Sequence, residues 1–193
     1  MEQPRSSQQK FVDVALTLFS ERGFYGTSLA DVANQLGLTK QSVLHHFRTK
    51  EALYAEVLSQ LSVRFETIVR EVQLAPYDTS DRLELYVEKL HLHLQAEPRD
   101  ARLIARELLD NLDRAATSRT WFLKSFLDES VALLLSRAGW QDRSEDEARA
   151  AIYQLIGAIN YFAISKPTLH GIWGEQRTSA MAKRFLPTLL SKL

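Results

Sequence analysis

Apolar residues recur along most of this chain at intervals of three and four, the spacing that lines one face of an α-helix. Nowhere do they alternate for more than a few residues, as a half-buried strand would require. The pattern predicts an all-α protein. Phe11, Val14, Ala15, Leu18 and Phe19 mark a first helix, with Ser6 and Gln9 spaced as a capping box at its start and Gly23 at its end. Leu29, Val32, Ala33 and Leu36 mark a second, which Thr27 or Ser28 can cap. Asp31 completes a box if Ser28 is the cap, and Gly37 supplies the left-handed turn. Leu38 is placed to plug the corner and Thr39 to cap a third helix, whose buried edge is only Val43 and Phe47. Thr49 caps a long fourth helix with Leu53, Val57, Leu61, Phe65, Ile68 and Val69 along one side, running to about Val72 before Pro76.

The second half continues in the same period. Leu83, Val87, Leu90 and Leu94 line a helix that opens at Thr79–Asp81 and closes at Glu97–Pro98, and Pro98 fits the start of the next. That helix, around Asp100–Leu112, is amphipathic through Leu103, Ile104, Leu108 and Leu112. Thr117 or Ser118 caps a following one, where Trp121, Phe122, Phe126, Val131 and Leu134 occupy most of the circumference before Gly139. Two more are predicted near Ala148–Ile164, begun by the box Ser144–Glu147, and near Thr178–Leu190. Helices apolar nearly all round need cover on more than one side. Gly157 and Ala158 let another backbone approach closely. We therefore expect a symmetric four-helix seam between two copies of the chain, built from Ile152, Ile156, Gly157, Ile159, Met181, Phe185 and Leu189.

Composition narrows the function classes. At 193 residues and 45% hydrophobic the chain can build a real core without staples. It has no cysteine, which excludes disulfides, thiolate metal sites and cysteine nucleophiles and fits a reducing cytoplasm. The stretch MEQPRSSQQK is polar, and no apolar run approaches the ~20 residues needed to cross a bilayer, so no membrane partner is expected. Basic and acidic residues balance at 24 each. Their distribution does not: from Thr27 to Lys50 stand Lys40, Arg48 and Lys50 against Asp31 alone, 3 − 1 = +2, with His45 and His46 beside them. That footprint suits a site-specific DNA binder and not a packaging protein.

Two short helices meeting at a tight turn, followed at once by another, form the layout of a helix-turn-helix that reads DNA. The motif spans about residues 28–47, in a DNA-binding domain of residues 1–50 followed by a helical dimerisation domain of residues 51–193, to which the family resemblance given below adds ligand binding. The start of a recognition helix reaches deepest into the major groove, which makes Thr39, Lys40 and Gln41 the candidates for base readout. Gln41 suits adenine; Lys40 suits guanine or a phosphate. Arg5 could reach a minor groove, although a solvated arginine is the plainer reading.

Catalytic signatures are missing: the sequence has no P-loop, GxGxxG, HExxH or GxSxG. His91 and His93, two apart, lie about 200° around a helix and cannot chelate one ion. Glu88-Lys89-Leu90-His91 spells the Glu-x-x-His of di-iron bundles but lacks the second copy such sites need. No enzyme activity, metal or cofactor is expected. The competing class is a helical ligand-binding or enzymatic bundle whose N-terminal motif no longer reads DNA.

The chain resembles the TetR family of bacterial transcription regulators over Gln8–Leu58. Phe19-Ser-Glu-Arg-Gly23-Phe24, Thr27-Ser28-Leu29 with Val32-Ala33, Gly37-Leu38-Thr39-Lys40 and His46-Phe47-x-x-Lys50-Glu51-x-Leu53 carry the likeness, in order. The resemblance implies a homodimeric, ligand-responsive repressor on a palindromic double-stranded operator. In the family an aromatic usually stands at the position of Leu44, pressed on the DNA backbone. Leu44 offers only apolar contact, to a sugar or thymine methyl, while His45 can donate to a phosphate. More phosphate anchoring then falls to Lys50 and to the helix N-termini at Thr27 and Thr49, with Ser28, Ser42 and His46 in the same DNA-facing set. The resemblance also implies a cavity among the C-terminal helices. Its candidate wall is Leu90, Leu94, Ile104, Trp121, Phe122, Phe126, Tyr153 and Asn160, with His91 and Glu107 as polar contacts, suited to a small apolar or aromatic effector.

Overall fold

The computed structural model describes residues 6–76, 79–110 and 121–191, and among them every regular element is helical. In chain order these are α1 (Ser7–Arg22), α2 (Leu29–Gln35), α3 (Lys40–His46), α4 (Lys50–Gln73), α5 (Thr79–Ala96), α6 (Pro98–Asp110), α7 (Lys124–Leu135), α8 (Glu145–Trp173) and α9 (Glu175–Leu190). They form two bodies. One comprises Met1–Val63 with Arg102–Phe122, the other Arg64–Ala101 with Leu123–Leu193, so α4 and α6 each contribute residues to both. This division differs from a cut at residue 50, because the first half of α4 supplies core to the N-terminal body. Arg5, Leu112, Thr117 and Ser118 lie outside the described residues.

In the N-terminal body, Phe11, Ala15, Phe19, Val32, Val43, Leu53 and Leu61 are buried, the faces that periodicity marks. Tyr54 joins them at 2% exposure, its ring edge-on to Phe19 at 4.8 Å and to Phe24 at 5.0 Å. Ser6 accepts from the Gln9 N–H at 3.2 Å, but the Gln9 amide does not return to the cap. It pairs with Gln60 instead, Nε2 to Oε1 at 2.9 Å, and so ties α1 to α4. Gly23 closes α1 with φ 74, and its N–H donates to the Phe19 carbonyl. Gly26 is required by crowding: a Cβ there would stand 2.3 Å from the Arg22 carbonyl oxygen. The end of α6 completes this body, where Arg106 donates to the Glu21 carbonyl and the Tyr54 hydroxyl donates to the Glu107 carboxylate. Leu108, expected on the buried face of α6, is 52% exposed.

In the C-terminal body, α5 buries Leu83, Val87, Leu90 and Leu94 as its spacing predicts, and also Tyr86. The Tyr86 hydroxyl pairs with Ser130 Oγ at 2.9 Å, Ser130 donates on to the Phe126 carbonyl, and burial pushes the phenol well above its usual range. Helix α7 starts at Lys124, later than expected, leaving Trp121 and Phe122 in the turn that precedes it. The Ser144–Glu147 box forms in both directions. Helix α8 then runs past Ile164 and through Pro167 to Trp173, at the cost of the hydrogen bond that a proline nitrogen cannot donate. Among the described residues no helix is long and apolar enough to cross a membrane.

Candidate nucleic-acid interface

Helix α2 ends in a tight left-handed turn. Gly37 has φ 66, the Leu38 N–H returns to the Ala33 carbonyl at 3.0 Å, and the Gly37 N–H returns to Asn34 at 3.1 Å, the two bonds of a Schellman motif. These backbone bonds close the corner, while Leu38, expected to plug it, is 45% exposed. Ser28 is the cap of α2. Its Oγ accepts from the Asp31 N–H, and both its N–H and its hydroxyl bond the Asp31 carboxylate, which together hold that acid below its ordinary value. Thr27 has a different task. It is 2% exposed and its hydroxyl donates to the Gly23 carbonyl at 3.0 Å, so it shapes the α1–α2 turn instead of facing outward.

Helix α3 buries Val43 alone. Thr39, Lys40, Gln41, His45 and His46 are exposed, and Ser42 and Leu44 are half-buried, leaving one long face free of the protein. The Thr39 side chain makes no cap to α3; its hydroxyl pairs with Ser42 Oγ at 3.2 Å. His46 packs its ring 5.5 Å from Phe11, while His45 remains on the open side. Thr49 does cap α4, accepting from the Ala52 N–H at 3.1 Å. Lys50 is more constrained than its sequence suggests. Its ammonium donates to the Phe24 carbonyl at 3.0 Å and lies 4.2 Å from the centre of the Phe24 ring. The face can hold a DNA groove by donors on α3 and by the first turn of α4, with no acidic side chain on α3 itself.

The residues expected around a ligand are divided between the two bodies. Leu90, Leu94 and Phe126 are core residues of the C-terminal body, and Asn160 there donates to the Ala101 carbonyl at 3.3 Å. His91 stacks on Phe162 and lies against Phe185; burial, then the charge of Lys166, lowers its pKa. Tyr153 stands 73% exposed on the outer side of α8. Ile104, Glu107, Trp121 and Phe122 belong to the N-terminal body, with Glu107 engaged by Tyr54. Of the expected seam, Ile152 and Ile159 are buried in their own body's core. Ile156, Met181, Phe185 and Leu189 are half-buried, and nothing lies within 4 Å of a Cβ built on Gly157. Met181, Phe185 and Leu189 line an open groove with Ala158, about 300 Å³ in volume.

One polar cluster escaped the sequence reading. Asp100, 1% exposed in the first turn of α6, accepts from Arg64 Nε at 3.0 Å and Nη2 at 2.9 Å, and from His93 Nε2 at 2.9 Å. Burial pushes the Asp100 carboxyl up, but His93 and Arg64 outweigh it and the net shift is downward. The only signal in the sequence was an acid placed at a helix start, which reads equally well as a solvated first-turn residue. Among the described residues no group of three potential metal ligands is gathered.

Comparison with known proteins agrees with this geometry. Residues 11–57 match the family model described as bacterial regulatory proteins, tetR family. The HTH-type transcriptional regulator RutR of Escherichia coli O157:H7 is 28% identical over 179 residues, covering 88% of this chain and 79% of that protein. The fatty acid degradation regulator FadR from Bacillus halodurans shares the fold with a TM-score of 0.75, at 18% identity, over 100% of this chain and 98% of that one. FadR from Bacillus subtilis, solved in complex with stearoyl-CoA, superposes with a TM-score of 0.67, at 16% identity, over 96% and 98%.

Proposed function

Because the chain belongs to the TetR family of bacterial transcription regulators, we propose that it acts as a homodimeric repressor that releases a palindromic operator when a small molecule binds its C-terminal body. The observation that carries this reading is α3, a helix that commits one side chain to the core and leaves Thr39, Lys40 and Gln41 at its open start. In a two-fold dimer two such helices enter successive major grooves when they stand about 34–36 Å apart. The exposed tyrosines and open glycine of α8, with the groove along α9, support a seam between two copies.

The effector is a small, largely apolar or aromatic molecule. A protein of the same fold carries stearoyl-CoA, which supports small-molecule binding in this architecture. A hundredfold loss of operator affinity requires the effector to favour the wrong spacing by only about 2.7 kcal/mol, within the usual range of coupling energies. Selection of random duplex DNA on the purified protein at stated salt tests the reading. A palindromic consensus supports it; a folded dimer that enriches no sequence argues for a protein that binds ligand without reading DNA.

A further inference from the structure

Buried polar atoms in a folded protein nearly always carry a hydrogen bond, so those that find none within the chain mark places suited to a partner. Three of them stand on α5 and α8, all in the C-terminal body: His91 Nδ1, Gln95 Nε2 and His170 Nε2. Lys166 ties the set together. Its ammonium donates to Gln95 Oε1 at 3.3 Å, which leaves the amide nitrogen of Gln95 as a donor without an acceptor. Its charge also reaches His91, whose pKa is lowered by burial first and by Lys166 second. His91 precedes Gln95 by one helical turn and His170 follows Lys166 by one turn, so each pair shares a face of its helix.

The group is rich in donors and has no acid to balance it. Among the described residues no carboxylate pairs with Lys166, and Gln95 takes one of its three N–H bonds. Glu84 and Glu88 line a separate groove of about 310 Å³ with His91 and Lys183, and neither Gln95 nor Lys166 borders it. All four side chains are half-buried, open in part to solutes. The wall beside them is aromatic: His91 stacks on Phe162 with ring centres 5.7 Å apart and leans on Phe185 at 5.6 Å, and the two phenyl rings lie 4.4 Å from each other.

We propose that Lys166, Gln95, His91 and His170 bind the carboxylate of a small organic acid, whose apolar part lies against the Phe162–Phe185 pair. The ammonium supplies a charge-assisted bond and the Gln95 amide a second N–H, and either imidazole donates through its buried nitrogen when that nitrogen carries the proton. An uncharged ligand would leave Lys166 without a counter-charge, and a metal ion at the two imidazoles would be repelled by the ammonium. The proposal deepens the effector reading above and rests on it for the consequence at DNA.

The full chain, without DNA, is titrated with benzoate and hexanoate, with benzamide and hexanamide as uncharged counterparts and inorganic phosphate as an anion lacking an apolar part. Binding is followed by the imidazole resonances of His91 and His170, assigned through His91→Gln and His170→Gln. The expected result is saturable movement of both histidines with at least one of the acids, binding about tenfold weaker in Lys166→Met and Gln95→Leu, and partial recovery in Lys166→Arg. Lys183→Met, which removes a positive charge from the neighbouring groove, should bind as the unaltered protein does. Equal binding of the amides, phosphate preferred to both acids, an equal loss in Lys183→Met, or no movement with either acid overturns the proposal. Should Lys166→Met lose helicity by circular dichroism, Lys166→Gln decides on the same resonances. Saturating acid should also weaken, about tenfold or more, the duplex that the protein selects from random DNA; unchanged duplex affinity overturns the acid's role as effector. If no duplex is selected, the regulator reading fails, and the histidine resonances still decide the site.

Discussion

The ammonium of Lys50 reaches back to the carbonyl of Phe24, 3.0 Å away, and rests over the ring of the same residue. One side chain at the start of α4 thereby fixes the loop between α1 and α2. It spends one of its three N–H donors there, leaving two for a phosphate.

Lys50→Met should for that reason lower stability as well as DNA affinity. The hydrogen bond from a charged donor and the cation–π contact together contribute about 2 kcal/mol. A purely phosphate-binding lysine would weaken DNA binding and leave the urea midpoint unchanged, so chemical unfolding of the variant without DNA separates the two roles.

Gln41→Ala should relax preference at one base pair of each half-site, costing about 1–3 kcal/mol of discrimination there. Repeating the random-duplex selection with the variant reads this directly. An equal weakening at all sites would make Gln41 a backbone contact.

Asp100 makes stability depend on acid. Against the effect of burial, His93 and Arg64 hold its folded pKa below the ordinary carboxylate range, so its contribution is complete above that range and is lost as pH falls through the folded value. Asp100→Asn breaks a buried ion cluster and should cost about 3 kcal/mol near neutrality. Urea unfolding of both proteins should show a gap that is widest near neutrality and narrows once the pH falls below the ordinary carboxylate range. A gap independent of pH would mean that packing at this position, not the charge, is what the variant removes.

Tyr153 and Tyr161, 73% and 69% exposed and two helical turns apart on either side of Gly157, are the side chains we expect a second copy to cover. Tyr161→Asp should shift the protein from dimer to monomer in sedimentation without loss of helicity, and operator affinity should fall with it. An unchanged dimer would place the seam elsewhere on α8 and α9.

The N-terminal body was largely legible in the sequence, because its signals are local. Ser28 with Asp31, Gly23, Gly37 and the period of α1 act within a few residues of where they stand. What escaped were contacts between residues distant in the chain. Gln9 was read as half of a capping box and turned out to serve Gln60; Lys50 was read as facing outward and serves Phe24; Asp100 and His93 gave no hint of each other. Composition left α8 undecided as well. Within a single chain that helix buries Ile152 and Ile159 and leaves Tyr153 and Tyr161 exposed, because periodicity ranks faces and does not say which one a partner takes.

The shallow anchoring of α3 has a consequence for how such a protein changes over time. With Val43 as the single buried residue of that helix, the exposed positions Thr39, Lys40 and Gln41 are little constrained by the fold. If the proposed base readout holds, substitutions at Thr39, Lys40 or Gln41 redirect the protein to a new operator while the scaffold stays intact, and a duplicated copy acquires different target genes through a few changes on one exposed helix.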